Sequence, residues 1–216
     1  MLIAKTPLSV DNLGYADICA RNDRLVLSSK SNGQTSCSVW PSFLPLEKTT
    51  RGAVVDQAFD LVANTHCRLL LLGSFPGVWS LRDRQYYANP RNQFWQLLSP
   101  VIGIDLVPLG YADRLATVLA HGIGLWDVVA TARRVGSLDS ALRDVAPRAL
   151  HSAAAGLPDL RATAFNGATA FKIGQRQMAK CPKVKCLLLP SSSPAHTIGL
   201  AAKAEQWRHL ASYLAH

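Results

Sequence analysis

From residue 50 onward, short apolar runs alternate with stretches whose apolar positions recur at helical spacing. Residues 68–72 (RLLLL) form one such run, followed at once by Gly73-Ser74-Phe75-Pro76-Gly77. That is the pattern of a buried strand ending in a tight turn. Residues 124–129 (GLWDVV), 161–165 and 184–189 (VKCLLL) predict three more strands. Helices are predicted over residues 53–63, 92–102, 113–121 and 168–179, with a short helix from Ser137 and another from Pro147. Residues 131–136 are predicted as a polar loop. The last helix, residues 200–214, carries Leu200, Ala204, Trp207, Leu210, Ala211 and Leu214 on one stripe. Strands that alternate with helices imply a largely parallel sheet covered on both faces, so the expected class is α/β. In such sheets ligands bind outside the carboxyl ends of the strands. The segments to read together are therefore 73–77, the stretch around Asp127 and Thr131, Asn166-Gly167, and 190–194 (PSSSP).

The first fifty residues differ. Residues 28–38 (SSKSNGQTSCS) are too polar to bury the apolar surface that would offset their ordering entropy. Residues 1–50 are expected to be a poorly ordered extension, and residues 51–216 the folded domain. The whole chain has 216 residues, 49% hydrophobic and 17% charged, which is globular composition with room for one ordinary domain. No stretch approaches the ~20 uncharged apolar residues that span a bilayer. No secretory signal is visible, and Asp11, Asp17 and Asp23 argue against a transit peptide. The expected location is cytoplasmic. The five cysteines, at 19, 37, 67, 181 and 186, match no zinc or iron–sulfur spacing and are expected to be free thiols. Neither a metal nor an organic cofactor is expected. The net charge of +9 changes the picture more, because it makes a polyanion, chiefly nucleic acid, a candidate partner.

The turn at 73–77 is neither Gly-x-Gly-x-x-Gly nor a phosphate loop, which argues against nucleotide hydrolysis. The next segment, 82–95 (RDRQYYANPRNQFW), places two tyrosines, two asparagines and three arginines ahead of a helix. Aromatic rings stack on bases, arginine neutralises phosphate, and an asparagine amide orients water or reads a base edge. Packing at the domain edge is the other reading of the tyrosines, while Phe94 and Trp95 read as core. Asn166 is either a turn residue or a carboxamide aimed into the crevice. Ser191, Ser192 and Ser193, between two prolines, form a stiff loop suited to a DNA backbone. A Ser–His nucleophile with His196 lacks the Gly-x-Ser-x-Gly elbow.

The spans LLLLGSFPG, YYANPRNQFW, GIGLWDV with GSLDSAL, AFNG and LPSSSP, in this order, resemble the uracil-DNA glycosylase superfamily. In particular they resemble its DNA-deoxyinosine (hypoxanthine-DNA) glycosylase branch. The likeness covers about residues 60–215. It implies a three-layer α/β/α sandwich around a four-stranded parallel sheet, and hydrolysis of the bond between a deaminated base and deoxyribose. In uracil- and thymine-excising relatives the first turn resembles Gly-x-Asn-Pro-Gly and its Asn activates water; here that position is Phe75. The resemblance therefore moves the catalytic amide to Asn89, or else Asn92. It implies that Phe75, Tyr87 and Asn166 contact the flipped base, with Tyr87 stacking on it. Arg91, Ser191, Ser192, Ser193 and Pro194 are implied at the DNA. The implied partner is damaged double-stranded DNA, or single-stranded DNA, bound by a monomer. A uracil or mismatched-thymine glycosylase and a catalytically silent DNA-binding member of the fold remain alternatives.

Overall fold

The computed structural model describes residues 55–215 with side chains, together with the backbone of 18–21, 24–27, 29–31 and 34–36. The chain divides into two compact units, Met1–Arg51 and Gly52–His216. In the first, β1 (Ile18–Arg21) pairs antiparallel with β2 (Arg24–Leu27), and β3 (Ser29–Ser31) with β4 (Gln34–Ser36). The expectation of a poorly ordered extension otherwise lies outside the described residues.

The second unit begins with β5 (Asp56–Gln57), β6 (Leu69–Gly73), α1 (Val78–Asp83), α2 (Phe94–Ile102) and α3 (Tyr111–Ala120). It continues through β7 (Ile123–Asp127), β8 (Val129–Arg133), a 3-10 turn (Asp139–Ala141), β9 (Arg143–Pro147) and α4 (Leu150–Ala155). It ends with β10 (Ala162–Asn166), α5 (Ala168–Met178), β11 (Lys185–Leu189), α6 (Leu200–Arg208) and α7 (Ala211–Leu214). The central sheet has four parallel strands in the order β11-β10-β6-β7. The chain leaves β6 for β7 on one side and later returns to lay β10 on the other. The carboxyl ends of β6 and β10 therefore flank a topological switch point, where α/β sheets open a crevice.

Strand residues alternate between faces, and each face has its own helix layer. Leu69, Leu71, Ile123, Leu125, Ala162 and Ala164 pack with Phe94, Leu97 and Leu98 of α2, Val118 of α3 and Trp207 of α6. Leu70, Leu72, Trp126 and Phe165 pack on the other face with Leu150 of α4 and Ala170 and Met178 of α5. The three-layer sandwich expected from the sequence is the observed architecture.

Several local expectations are corrected. Residues 53–63 do not form the predicted helix. From residue 55 the segment is extended: β5 pairs with β8, the Ala58 N–H donates to the Ala130 carbonyl at 2.9 Å, and Val62 bridges Leu125. Sheet pairing outweighs the helical spacing. The predicted polar loop 131–136 starts inside β8, which joins β5 and β9 in a small antiparallel sheet. The helix expected from Pro147 starts only at Leu150, because Pro147 still pairs with Val129 in β9. The helix expected from Ser137 shrinks to the 3-10 turn, α1 was not foreseen, and the last helix breaks between Arg208 and Ala211. Nor is β11 covered on both faces. It is an edge strand with Leu188 51% exposed.

Helix α5 approaches the sheet closely because Gly174 faces it. A Cβ there would lie 2.4 Å from Phe165 Cε1 and 2.9 Å from Leu150 Cδ1. Gly174→Val is expected to destabilise the domain by about 1–3 kcal/mol through overpacking, read from urea or thermal unfolding.

Candidate active site

The site grows from the sheet itself. Gly73, Asp127 and Asn166 end β6, β7 and β10 and continue the face that carries Leu71, Leu125 and Ala164. Gly73 lies opposite Asp127 in the parallel register. A Cβ at Gly73 would sit 2.5 Å from Asp127 Oδ1 and 3.3 Å from Tyr87 Oη. Glycine is therefore required for the carboxyl group and the phenol to meet above the strand end.

Asp127 is 3% exposed, and its Oδ2 has no hydrogen-bond partner among the described residues. Burial pushes its carboxyl up to about 7, with the nearby Asp139 charge adding to the rise. Arg148, Arg134 and a hydrogen bond with Tyr86 pull the other way. Arg148 is fixed by the segment that was expected to be helical: its Nη2 donates to the carbonyls of Ala58 at 3.1 Å and Phe59 at 2.7 Å. The Arg148 guanidinium also lies 4.7 Å over the Trp126 ring.

Tyr87 stacks on Phe94 with centroids 3.6 Å apart and planes 8° from parallel. Its backbone φ is 55°, a left-handed conformation that a bulky residue holds only when its surroundings enforce it. Burial raises its hydroxyl pKa, and the Asp127 charge adds to this, while a hydrogen bond with Asn166 opposes both. The two readings of the tyrosines thus divide. Tyr86 is core, edge-on to Phe59 with centroids 5.1 Å apart, and Tyr87 joins the core to the strand ends.

Asn89 and Asn92 share one tight turn. The Asn89 Oδ1 accepts from the Arg91 N–H at 2.9 Å, and the Asn92 Oδ1 accepts from the Phe94 N–H at 3.0 Å at the start of α2. An amide oxygen has two lone pairs, so each keeps one for a water molecule. Arg91 is exposed.

Asn166 has a structural task. Its Nδ2 donates to Ser192 Oγ and its Oδ1 accepts from the Ser192 N–H, both at 2.8 Å. Ser192, expected at the DNA, is instead fully buried as Asn166's partner; Ser191 and Ser193 are half-buried and Pro194 is exposed. The loop is also tied to the asparagine turn, since the Gln93 N–H donates to the Ser192 carbonyl at 3.0 Å. Lys203, 1% exposed, donates to Gln93 Oε1 at 2.8 Å and to the Ser193 carbonyl at 3.2 Å. Trp207 Nε1 donates to the Pro190 carbonyl at 3.0 Å.

Phe75 stands apart. Its ring belongs to the core on the opposite face, beneath the Arg134 guanidinium at 5.2 Å, and Arg134 donates to the Pro76 carbonyl. The structure thus brings Tyr87, Asn166, the asparagine turn and the serine loop together, and leaves Phe75 behind the sheet.

Sequence reading placed Gly73 and Asp127 in the strand-end segments without giving either a chemical role, and passed over Arg148 and Lys203. The signal for Asp127 was its parity, because it ends an apolar strand on the same side as Leu125. Lys203 lies three residues after Leu200 and four before Trp207, on the apolar stripe of the last helix. Cys67, Cys181 and Cys186 are free thiols, and burial raises Cys67 to about 11. Among the described residues no group of three or more His, Cys, Asp or Glu is placed to hold a metal, and no helix is long and apolar enough to cross a membrane.

A four-stranded parallel sheet with an aromatic, an amide and a buried carboxyl gathered over the carboxyl ends of β10, β6 and β7 defines an α/β protein with a strand-end site. The sequence profile of the uracil DNA glycosylase superfamily matches residues 59–211, and the chain belongs to that superfamily. A hypoxanthine DNA glycosylase of Methanosarcina barkeri is 34% identical over 151 residues, which cover 70% of this chain and 94% of the relative. One of Methanosarcina acetivorans is 35% identical over 155 residues, 71% of this chain and 96% of the relative. A solution NMR structure from Methanosarcina acetivorans, provisionally assigned as a uracil DNA glycosylase, superposes with a TM-score of 0.68 at 32% identity. It covers 76% of this chain and 100% of that one.

The Asp127 environment has a consequence for stability. Its folded pKa of about 7 stands above the ordinary 3.8, so the folded state holds the proton more tightly than the unfolded chain. The stability this contributes is full below about pH 4 and is lost as pH rises through about 7. Asp127→Asn is expected to be more stable than the parent at pH 8 by a few kcal/mol, with the gap closing toward pH 4, measured by urea denaturation across that range.

Proposed function

We propose that the chain is a monofunctional DNA glycosylase that flips a deaminated base from DNA and hydrolyses its glycosidic bond, leaving an abasic site. Hypoxanthine in deoxyinosine is its first substrate. The observation that carries this reading is the meeting of Tyr87, Asp127 and Asn166 above Gly73, in a chain whose relatives named hypoxanthine DNA glycosylase match over nearly their full length. Phe75, at the position where uracil-excising relatives resemble Gly-x-Asn-Pro-Gly, favours this substrate over uracil.

Each step has a physical agent. Arg91, Ser191, Ser193 and Pro194 meet the backbone of duplex DNA, whose phosphates the chain's positive balance attracts. Rotating the lesion out costs a few kcal/mol, less for a mispaired base. Phe94 covers one face of the Tyr87 ring, which leaves the other for the base. Such stacking is worth about 1–3 kcal/mol. Asn166 keeps the Ser192 loop in place beside the base and retains hydrogen-bonding capacity for its edge. Asn89 positions the attacking water, and Asn92 is the second choice. The enzyme acts as a monomer on DNA inside the cell.

Base release from duplexes containing deoxyinosine, deoxyuridine or deoxyxanthosine tests the reading. Hypoxanthine is expected to be released fastest, with the strand left intact until alkali is added. Asn89→Ala is expected to slow single-turnover release about 10²-fold or more. Full activity in Asn89→Ala and loss in Asn92→Ala would transfer the water to Asn92. Faster release of uracil would overturn the substrate, and tight, salt-dependent binding without any release would leave only a DNA-binding protein.

A further inference from the structure

We propose that Asp127 is the general acid of the reaction, handing a proton to the purine as its bond to the sugar breaks. The inference rests on the glycosylase reading and adds a catalytic residue to it.

Three observations place the group. Asp127 ends β7, directly beside the middle strand β6, on the face shared with Gly73 and Asn166. Gly73, by lacking a Cβ, opens the space that Asp127 Oδ1 and the Tyr87 hydroxyl occupy. The second carboxyl oxygen, Oδ2, is buried without a hydrogen-bond partner among the described residues. An acceptor-only carboxylate left this way is costly, whereas a carboxylic acid has a hydrogen to donate to a ligand.

The charged and titratable groups around it set the proton's occupancy. Tyr86 and Tyr87 face it from the loop before α2, Asp139 from the 3-10 turn, Arg134 from beyond β8, and Arg148 from beyond β9. Burial and Asp139 favour the acid form; the two arginines and Tyr86 favour the anion. The balance lies at about 7, so a large share of the protein carries the proton at neutral pH.

Hypoxanthine has the chemistry to accept it. Like guanine it presents N7 and O6 as acceptors on one edge. Expelled without a proton it leaves as an anion; with one it leaves neutral. In the proposed step the electron pair of the C1′–N9 bond departs with the base while the Asp127 proton moves to N7. Water held by the asparagine turn adds its oxygen to C1′ and loses one proton to solvent. Asp127, now a carboxylate, regains a proton from solvent before the next turnover. The sum is deoxyinosine in DNA and one water in; hypoxanthine and the abasic sugar with its new C1′ hydroxyl out.

The test is the pH dependence of single-turnover release from a deoxyinosine duplex. For the unaltered protein the rate is expected to fall tenfold per pH unit above about pH 7, as the acid form is lost. Asp127→Asn is expected to be slowed at least ~10²-fold and to lose that limb, while binding a non-hydrolysable 2′-fluoro-deoxyinosine duplex with unchanged affinity. Should Asp127→Asn fail to fold, Tyr86→Phe decides. It removes a hydrogen bond that favours the anion and is expected to move the falling limb to higher pH. A protein that releases hypoxanthine with no such limb, or with Asp127→Asn at full rate, or with a limb unmoved in Tyr86→Phe, overturns the role of Asp127 alone. A protein that releases no base from any duplex overturns the glycosylase reading itself.

Discussion

One missing side chain governs the site. Three strands deliver their last residues to one face, and the middle position of the sheet, Gly73, contributes nothing but backbone. Into that gap come a carboxyl group from the neighbouring strand and a phenol from the following loop. Any other residue at the strand end would displace the carboxyl group and crowd the phenol. The parallel register fixes the heights of Gly73 and Asp127 relative to each other, so the geometry is set by the most rigid part of the fold. Sites built on strands hold their spacing better than sites built on loops.

The loops that complete the site are held by polar contacts into that frame. Tyr87 keeps a left-handed backbone because its ring is clamped on Phe94. The serine loop is locked by a two-way hydrogen bond from Asn166. Two arginines stand near the buried carboxyl, one anchored on the carbonyls of Ala58 and Phe59 and the other on that of Pro76. They offset part of the cost of a charge in this position without removing it, and the carboxyl remains poised between its two protonation states.

How much of this was legible in the sequence follows from how each element is stabilised. Strands β6, β7 and β10 are apolar because both faces are covered, and their runs announced them. Helices α2, α3 and α5 carry clear stripes. Residues 53–63 misled because their apolar positions do recur at helical spacing, while the deciding partner, β8, lies some seventy residues away. The polar strands β8 and β9 were hidden for the same reason: their stability comes from pairing with each other, and β9 is exposed along its whole length. At the site, the residue types Tyr, Asn and Ser drew notice by standing together in polar loops. Which way they point was not legible. Asn166 and Ser192 are both polar and both near a turn, and only the fold turns them toward each other rather than toward DNA. Phe75 follows the first strand directly, yet its ring packs on the opposite face of the sheet.

The buried ammonium of Lys203 and the indole of Trp207 both belong to α6, close to the end of the chain. Between them they hold Gln93 and the carbonyls of Pro190 and Ser193. The asparagine turn and the serine loop are thereby both tied to one helix outside the sheet, so a shift of α6 would carry the two sides of the site with it.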